Sequence, residues 1–304
     1  MDNICAHVNK RLIKNYTNYN LFFCNECNLI INENVNNSKP PLLLYKNYYK
    51  NEIPVKFNSL TESIVRLFRL WRALKIFTLY PRAKSILDIG SGRGYLLYYL
   101  KKYFHFRRTA GTQLEVNSYL YSKNELGLEM YNQDLLDLKF TNNNFDIVTM
   151  WHVFEHIEHP EEYLMSIRSL LNDNGKLIIE VPNYSSWTRK LTNKYWLGLD
   201  LKYHRTFFST HTLTNLLKKN NFNVKLVHTF SLEYSIFISA QSIISLITDT
   251  DHSIFKYLQG EKLSFGKKIF HFCLLIILFP ICFIINLILF FSKYGEVILI
   301  VATK

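Results

Sequence analysis

Two apolar spacings alternate along this chain. Short continuous or alternating runs, the pattern of buried strands, stand at SILDI (85–89), FRRTAGTQL (106–114), LGLEMY (126–131), FDIVTMW (145–151) and KLIIEVP (176–182). Two more follow, NFNVKLVHTF (221–230) and GEVILIVATK (295–304). Helical spacing separates them, most clearly in PEEYLMSIRSLL (160–171), where Pro160 suits the first helical position and Gly175 of the following NDNG suits the C′ position. Strands alternating with helices predict an α/β fold around a doubly wound sheet. Ahead of these, LTESIVRLFRLWRALKIFTLYP (60–81) predicts a helix with Thr61 as N-cap and Pro81 at its end. Arg66, Arg69, Arg72 and Lys75 recur three apart on it, with Leu67, Phe68, Leu70, Trp71 and Leu74 around them. Such a helix lies on a membrane or packs its apolar side on the sheet, and the pattern leaves both open.

Two stretches break the alternation. Residues 32–59 are polar and weakly patterned, which predicts a linker. Residues 269–291, IFHFCLLIILFPICFIINLILFF, carry no formal charge and are long enough to cross a bilayer. Charge sharpens this: 36 Lys and Arg against 24 Asp and Glu give a net +12 over 304 residues. The excess is scattered rather than blocked. Beside an apolar run it points to an anionic membrane surface, and no nucleic-acid partner is expected. The N-terminus has no apolar stretch of signal-peptide length, so the soluble part is expected in the cytoplasm.

Three of the five cysteines lie early, in CAH and CNEC. Cys5, His7, Cys24 and Cys27 form two ligand pairs separated by a segment able to make a hairpin, as a closed, structural Cys3His zinc site requires. Asn28 stands where such knuckles often carry glycine. Free thiols near a loose N-terminus are the alternative. Cys273 and Cys282, inside the apolar run, are expected as buried small hydrophobes.

The densest chemistry is in SILDIGSGRGYLLYYL (85–100): a strand closed by Asp88, then Gly90, Gly92 and Gly94, then a helix. A strand, glycine turn and helix make the nucleotide-binding corner of a doubly wound sheet. The third glycine comes one residue too early for a pyrophosphate-binding G-x-G-x-x-G. D-x-G-x-G-x-G at 88–94 resembles motif I of the class I S-adenosylmethionine-dependent methyltransferases, and later segments keep the order of that family's pattern over about 84–230 and again in the last strand. The resemblance implies a seven-stranded doubly wound sheet and S-adenosylmethionine as cofactor. It implies Asp88, Gly90, Gly92 and Gly94 in the cofactor loop and Gln113 at the ribose position, with Glu115 two residues on. Asp134 is implied at the adenine amino group, Leu135 beside the ring, and Trp151 at the end of the fourth strand.

Methyl transfer needs alignment and often a base. His152, Glu155, His156 and His159 lie in WHVFEHIEHP, just beyond the fourth strand. His152 is nearest the strand end and a reasonable proton acceptor. His156 suits loop fixing as well as catalysis, His159 an N-cap, and Glu158 a solvated surface. In the cover segment 181–209, His204 is a further catalytic candidate and Arg205 a candidate for an anionic acceptor group. In the implied topology, the last strand returns antiparallel into the sheet, so a single crossing by 269–291 is forbidden. The run must return or lie flat, with Pro280 as the expected turn of a shallow hairpin and 235–247 as a second interfacial helix. A cap buried against a partner subunit is the soluble alternative. The expected organisation is a zinc knuckle (1–31), a linker (32–59), a methyltransferase domain (60–230 and 294–304) and a membrane-associating hydrophobic helical insertion (231–293). The expected acceptor is lipid-linked or small, met at the cytoplasmic face of a membrane. A non-catalytic membrane-docking protein that keeps the cofactor fold is the competing expectation.

Overall fold

A computed structural model describes residues 5–35, 59–140 and 145–304. Most of the expected linker, 36–58, lies outside the described residues. The N-terminal strands are β1 (Lys10–Tyr16), β2 (Tyr19–Cys24) and β3 (Ile30–Asn34), followed by α1 (Ser59–Leu79). Then come β4 (Ser85–Ile89), α2 (Tyr95–Phe104), β5 (Arg108–Thr112), α3 (Val116–Leu120), β6 (Glu129–Tyr131) and β7 (Phe145–Trp151). They are followed by α4 (Pro160–Leu170), β8 (Leu171–Pro182), α5 (Trp187–Thr192), β9 (Thr206–Phe207), α6 (Thr210–Lys219) and β10 (Asn223–His228). The chain ends with α7 (Ser235–Thr248), α8 (Ser253–Leu258), α9 (Phe265–Ser292) and β11 (Val297–Thr303).

The main sheet has seven strands in the order β10-β11-β8-β7-β4-β5-β6. The strands from β8 to β6 are parallel, and β11 runs antiparallel between β8 and β10. Consecutive side chains point to opposite faces of a strand. Leu87, Val148, Ile179 and Ile300 therefore join one core, against α4 and α6. Their neighbours Ile86, Ile147, Ile178 and Leu299 join the other, against α1 and α2. Both faces are covered, which is why β11 is an unbroken apolar run, buried at all seven positions. A second sheet, β1-β2-β3-β9, ties the N-terminal ribbon to the cover segment through Ile30 opposite Phe207 and Ile31 opposite Thr206.

Several local expectations change. α1 begins at Ser59, so Thr61 lies inside its first turn rather than capping it. α4 ends at Leu170 and the chain turns directly into β8, so Gly175 is no C′ residue. Asn174 takes the left-handed conformation instead (φ 62°), and a Cβ on Gly175 would meet the Asn172 carbonyl at 2.8 Å. α1 turns the middle of its basic row inward: Arg72 is buried and paired with Glu180 and Glu233 and Arg69 is half-buried, while Arg66, Lys75, Leu67 and Trp71 are exposed. Cys282 is buried but Cys273 is exposed.

The largest correction concerns Pro280. α9 is one helix of 28 residues running through it, about 42 Å at 1.5 Å per residue. His271, Leu275, Leu278, Cys282 and Asn286 recur at helical spacing and are at least partly buried. This stripe continues on both sides of the proline, so packing overrides the local preference to break. The chain reversal lies upstream, between Thr248 and Phe265. Ser253 meets His271 and Ser239 meets Asn286, so α7–α8 and α9 run antiparallel. The insertion does return to the sheet, by a different turn.

Candidate functional site

The cofactor corner is built at the carboxyl end of β4. Gly90, Gly92 and Gly94 all adopt positive φ (70°, 56° and 72°), which L side chains avoid. A Cβ on Gly90 would lie 2.5 Å from Val153 and one on Gly94 2.6 Å from Leu128, whereas nothing stands within 4 Å of that position at Gly92. The loop therefore packs down at both ends and leaves its middle clear as a backbone cradle. That shape fits S-adenosylmethionine. Gln113 accepts a hydrogen bond from the Gly92 amide (3.2 Å), which brings the ribose candidate against this loop. Glu115 lies beyond β5, and its carboxylate caps α3 by accepting from the Asn117 and Ser118 amides, so it does not share the strand face with Gln113.

Asp88 is buried and accepts from the Thr149 hydroxyl at 2.6 Å. Burial pushes its carboxyl up to about 6, against the opposing pull of that hydroxyl and of Arg72 and Arg69. Asp134 accepts from the Leu136 amide and from the Tyr163 hydroxyl, which holds it in place. Leu135 is 2% exposed and its side chain is packed in the core. Trp151 lies under the Arg72 guanidinium (4.1 Å to the ring centre), and its indole N–H is buried without a hydrogen-bond partner among the described residues.

His152 follows β7 with φ 55°. Its Nε2 donates to Glu180 Oε1 (3.2 Å), its Nδ1 lies 3.6 Å from Glu155, and its ring packs on Tyr234 at 4.2 Å. Burial lowers its basicity, but the contacts with Glu155 and Glu180 outweigh this and raise it to about 10, so the imidazole is protonated near pH 7 and His152 is not the proton acceptor expected from the sequence. Glu180 continues the network to Arg72 (3.1 Å), which reaches Glu233 (2.7 Å), which in turn meets Arg69 (2.6 Å). Burial pushes the Glu180 carboxyl up, yet Arg72 and His152 hold it at about 2. Sequence reasoning missed Arg72, Glu180 and Glu233 as site residues. One signal was present: Glu180 is the only acid in the apolar KLIIEVP.

Glu155, His156 and His204 form a second group beside His152, with ligand atoms within 4.8 Å of one another. Burial lowers both His156 and His204 to about 4, so both imidazoles are neutral near pH 7. The Arg205 amide donates to the Glu155 carbonyl (2.8 Å), and the Arg205 Nε is buried without a hydrogen-bond partner among the described residues. His159 occupies the N-cap position ahead of Pro160, but its side chain makes no capping bond.

At the N-terminus, Cys5, His7, Cys24 and Cys27 converge within the same 4.8 Å limit. Cys5 and Cys24 sulfurs are 3.6 Å apart, and Cys27 Sγ lies 3.3 Å from His7 Nδ1. Asn28 takes the left-handed turn (φ 60°) that glycine would take. Asn32 Nδ2 donates to the Leu201 and His204 carbonyls at 2.7 Å each, so this ribbon holds the loop that carries His204.

The methyltransferase-domain family model matches residues 65–227, more than half of the chain, and the protein belongs to that family. It is a class I S-adenosylmethionine-dependent methyltransferase, an enzyme built on the Rossmann-like sheet described above. Its fold is similar to a solved S-adenosylmethionine-dependent methyltransferase from Archaeoglobus fulgidus, at 19% identity over 79% of this chain and 94% of that one (TM-score 0.51). It is also similar to the solved complex of a methyltransferase with the Haloferax volcanii Trm112 methyltransferase activator, at 15% identity, 80% and 92% coverage and TM-score 0.51. At such identities the likeness concerns the fold alone. No curated protein matches the chain.

Proposed function

We propose that this methyltransferase works on the cytoplasmic face of a membrane and methylates a lipid-linked acceptor, such as a polyprenyl-phosphate saccharide, another glycolipid or a quinone-like lipid. One observation carries the proposal: the polarity of α9 is inverted. A helix on a water-soluble domain buries its apolar stripe and exposes its polar side. Here His271 and Asn286 are buried against the Ser253 and Ser239 hydroxyls, while Ile276, Ile277, Ile284, Ile288 and Phe291 are each about 60–85% exposed. Fully covering one such side chain is worth roughly 1.5–3 kcal/mol, and a bilayer interface supplies that cover. Lys262, Lys267 and Lys268 precede the apolar part and Lys293 follows it, which suits anionic headgroups at both ends.

The same insertion adjoins the chemistry. Glu233 and Tyr234, just ahead of α7, touch Arg72 and His152, and the residue after α9 is two short of Gly295, whose amide meets Thr229. Membrane contact there brings a lipid-borne acceptor to the carboxyl ends of β4 and β7. S-adenosylmethionine, when bound, supplies an activated methyl group. Asp88, the Gly90–Gly94 backbone, Gln113, Asp134, the Leu135 backbone and Trp151 hold it. His152 faces the acceptor and is oriented by Glu180 and Glu155. Cys5, His7, Cys24 and Cys27 hold a structural zinc ion, with no open position, that fixes the ribbon under the His204 loop.

The test is flotation with anionic phospholipid vesicles. Wild type is expected in the lipid fraction. The variant carrying Ile277→Asp, Ile284→Asp and Ile288→Asp is expected to stay in the aqueous fraction with cofactor binding intact. Equal partition of the two proteins would remove the membrane reading.

A further inference from the structure

We propose that Glu155, His156 and His204 form a second, buried metal site, distinct from the N-terminal cysteine cluster, for a first-row divalent cation such as zinc or iron(II). Glu155 is 2% exposed, and neither of its carboxylate oxygens accepts a hydrogen bond among the described residues. Two buried, unsatisfied carboxylate oxygens are costly unless a cation balances them. His152 stands on one side at 3.6 Å and contributes charge, but at more than hydrogen-bond distance and with its Nε2 bonded to Glu180, so the two Glu155 oxygens still lack a direct partner among the described residues. On the other side, His204 Nε2 is 4.0 Å from Glu155 Oε1, and the His204 and His156 ring centres lie 4.9 Å apart in an edge-on arrangement.

The imidazoles are set up as ligands. His156 Nδ1 lies 3.0 Å from the Tyr203 carbonyl, which can only accept, so Nδ1 carries the proton and Nε2 is the ligating nitrogen. A carbonyl behind a histidine is the usual way such a ligand is oriented. His204 is 7% exposed, and its Nδ1 has no hydrogen-bond partner among the described residues. Two imidazoles and one carboxylate suit zinc or iron(II) better than calcium or magnesium, which prefer all-oxygen sites. Three protein ligands also leave a position open for water or an acceptor oxygen, unlike the closed four-ligand cysteine site. The ion would fasten the turn after β7 to the loop before β9, and so fix the wall of the site beside His152.

The experiment uses full-length protein produced with cobalt(II), followed by metal analysis and absorption spectroscopy. About two cobalt ions per chain are expected, one with thiolate-to-metal charge-transfer bands and one with only weak d–d bands. Glu155→Gln and His204→Ala should each remove the second and keep the charge-transfer bands. Cys24→Ser should weaken the charge-transfer bands and keep the second ion. Wild-type protein whose cobalt is all accounted for by charge-transfer bands, or that holds none, overturns the proposal, whether or not a variant folds. So does second-ion content unchanged in both Glu155→Gln and His204→Ala.

Discussion

Arg72 concentrates the energetics of the site. Its guanidinium is 7% exposed, touches Glu180 and Glu233, and lies over Trp151. Removing one member of a buried ion network leaves charges uncompensated. Arg72→Met is therefore expected to lower unfolding free energy by about 3–5 kcal/mol, measured by denaturant titration; a change below about 1 kcal/mol would contradict the pairing. Asp88 gives a pH signature. Its native carboxyl is raised to about 6 from an ordinary value of 3.8, so the folded state favours the protonated acid. Its contribution to stability is present below pH 4 and is lost as pH rises through 6. The stability of wild type relative to Asp88→Asn, without cofactor, should fall by roughly 3 kcal/mol across that window and then level off, since one pH unit is worth about 1.4 kcal/mol. Parallel curves would refute it. At this scale the glycine loop was legible because backbone conformation is written locally. Arg72 was not, because its partners are contributed by β8 and by the segment after β10, and nothing local in RLWRAL indicates which way the arginines turn.

Elements were read best where packing and local pattern agree. The inner strands of the main sheet follow the predicted runs because they are covered on both faces, whereas the edge strand β10 leaves Leu226 exposed. α9 was misread at Pro280 because the stripe that stabilises it depends on α7 and α8, which local pattern does not reveal. Gly175 was misread for a related reason: β8 begins five residues before the predicted KLIIEVP, pairing Leu171 with Phe145. If Pro280 is a helical residue rather than a turn, its replacement should help. Proline in a helix interior costs up to about 3 kcal/mol relative to alanine. Pro280→Ala is expected to raise the thermal midpoint and leave vesicle binding intact. A lowered midpoint would support a turn there.

The whole molecule joins three structures at one edge. The seven-stranded sheet sets the carboxyl ends of β4, β7 and β8 side by side. The N-terminal ribbon reaches the same edge through β3 and β9, holding the His204 loop. The insertion leaves it after β10 and returns before β11. That return was legible from the sequence, since the final strand needs its place between β8 and β10. The shape of the return was not, nor was the joining of the ribbon to the cover segment, which rests on a two-strand pairing far apart in sequence.

The most direct test follows labelled methyl from S-adenosylmethionine into extracted membrane lipids supplied as vesicles, then partitions the products between organic and aqueous phases. Wild type is predicted to place label in the organic phase, with much less transfer by His152→Ala and by the Ile277, Ile284 and Ile288 aspartate variant. Label confined to water-soluble products, or equal transfer by the aspartate variant, would contradict a methyltransferase that meets its acceptor at the membrane.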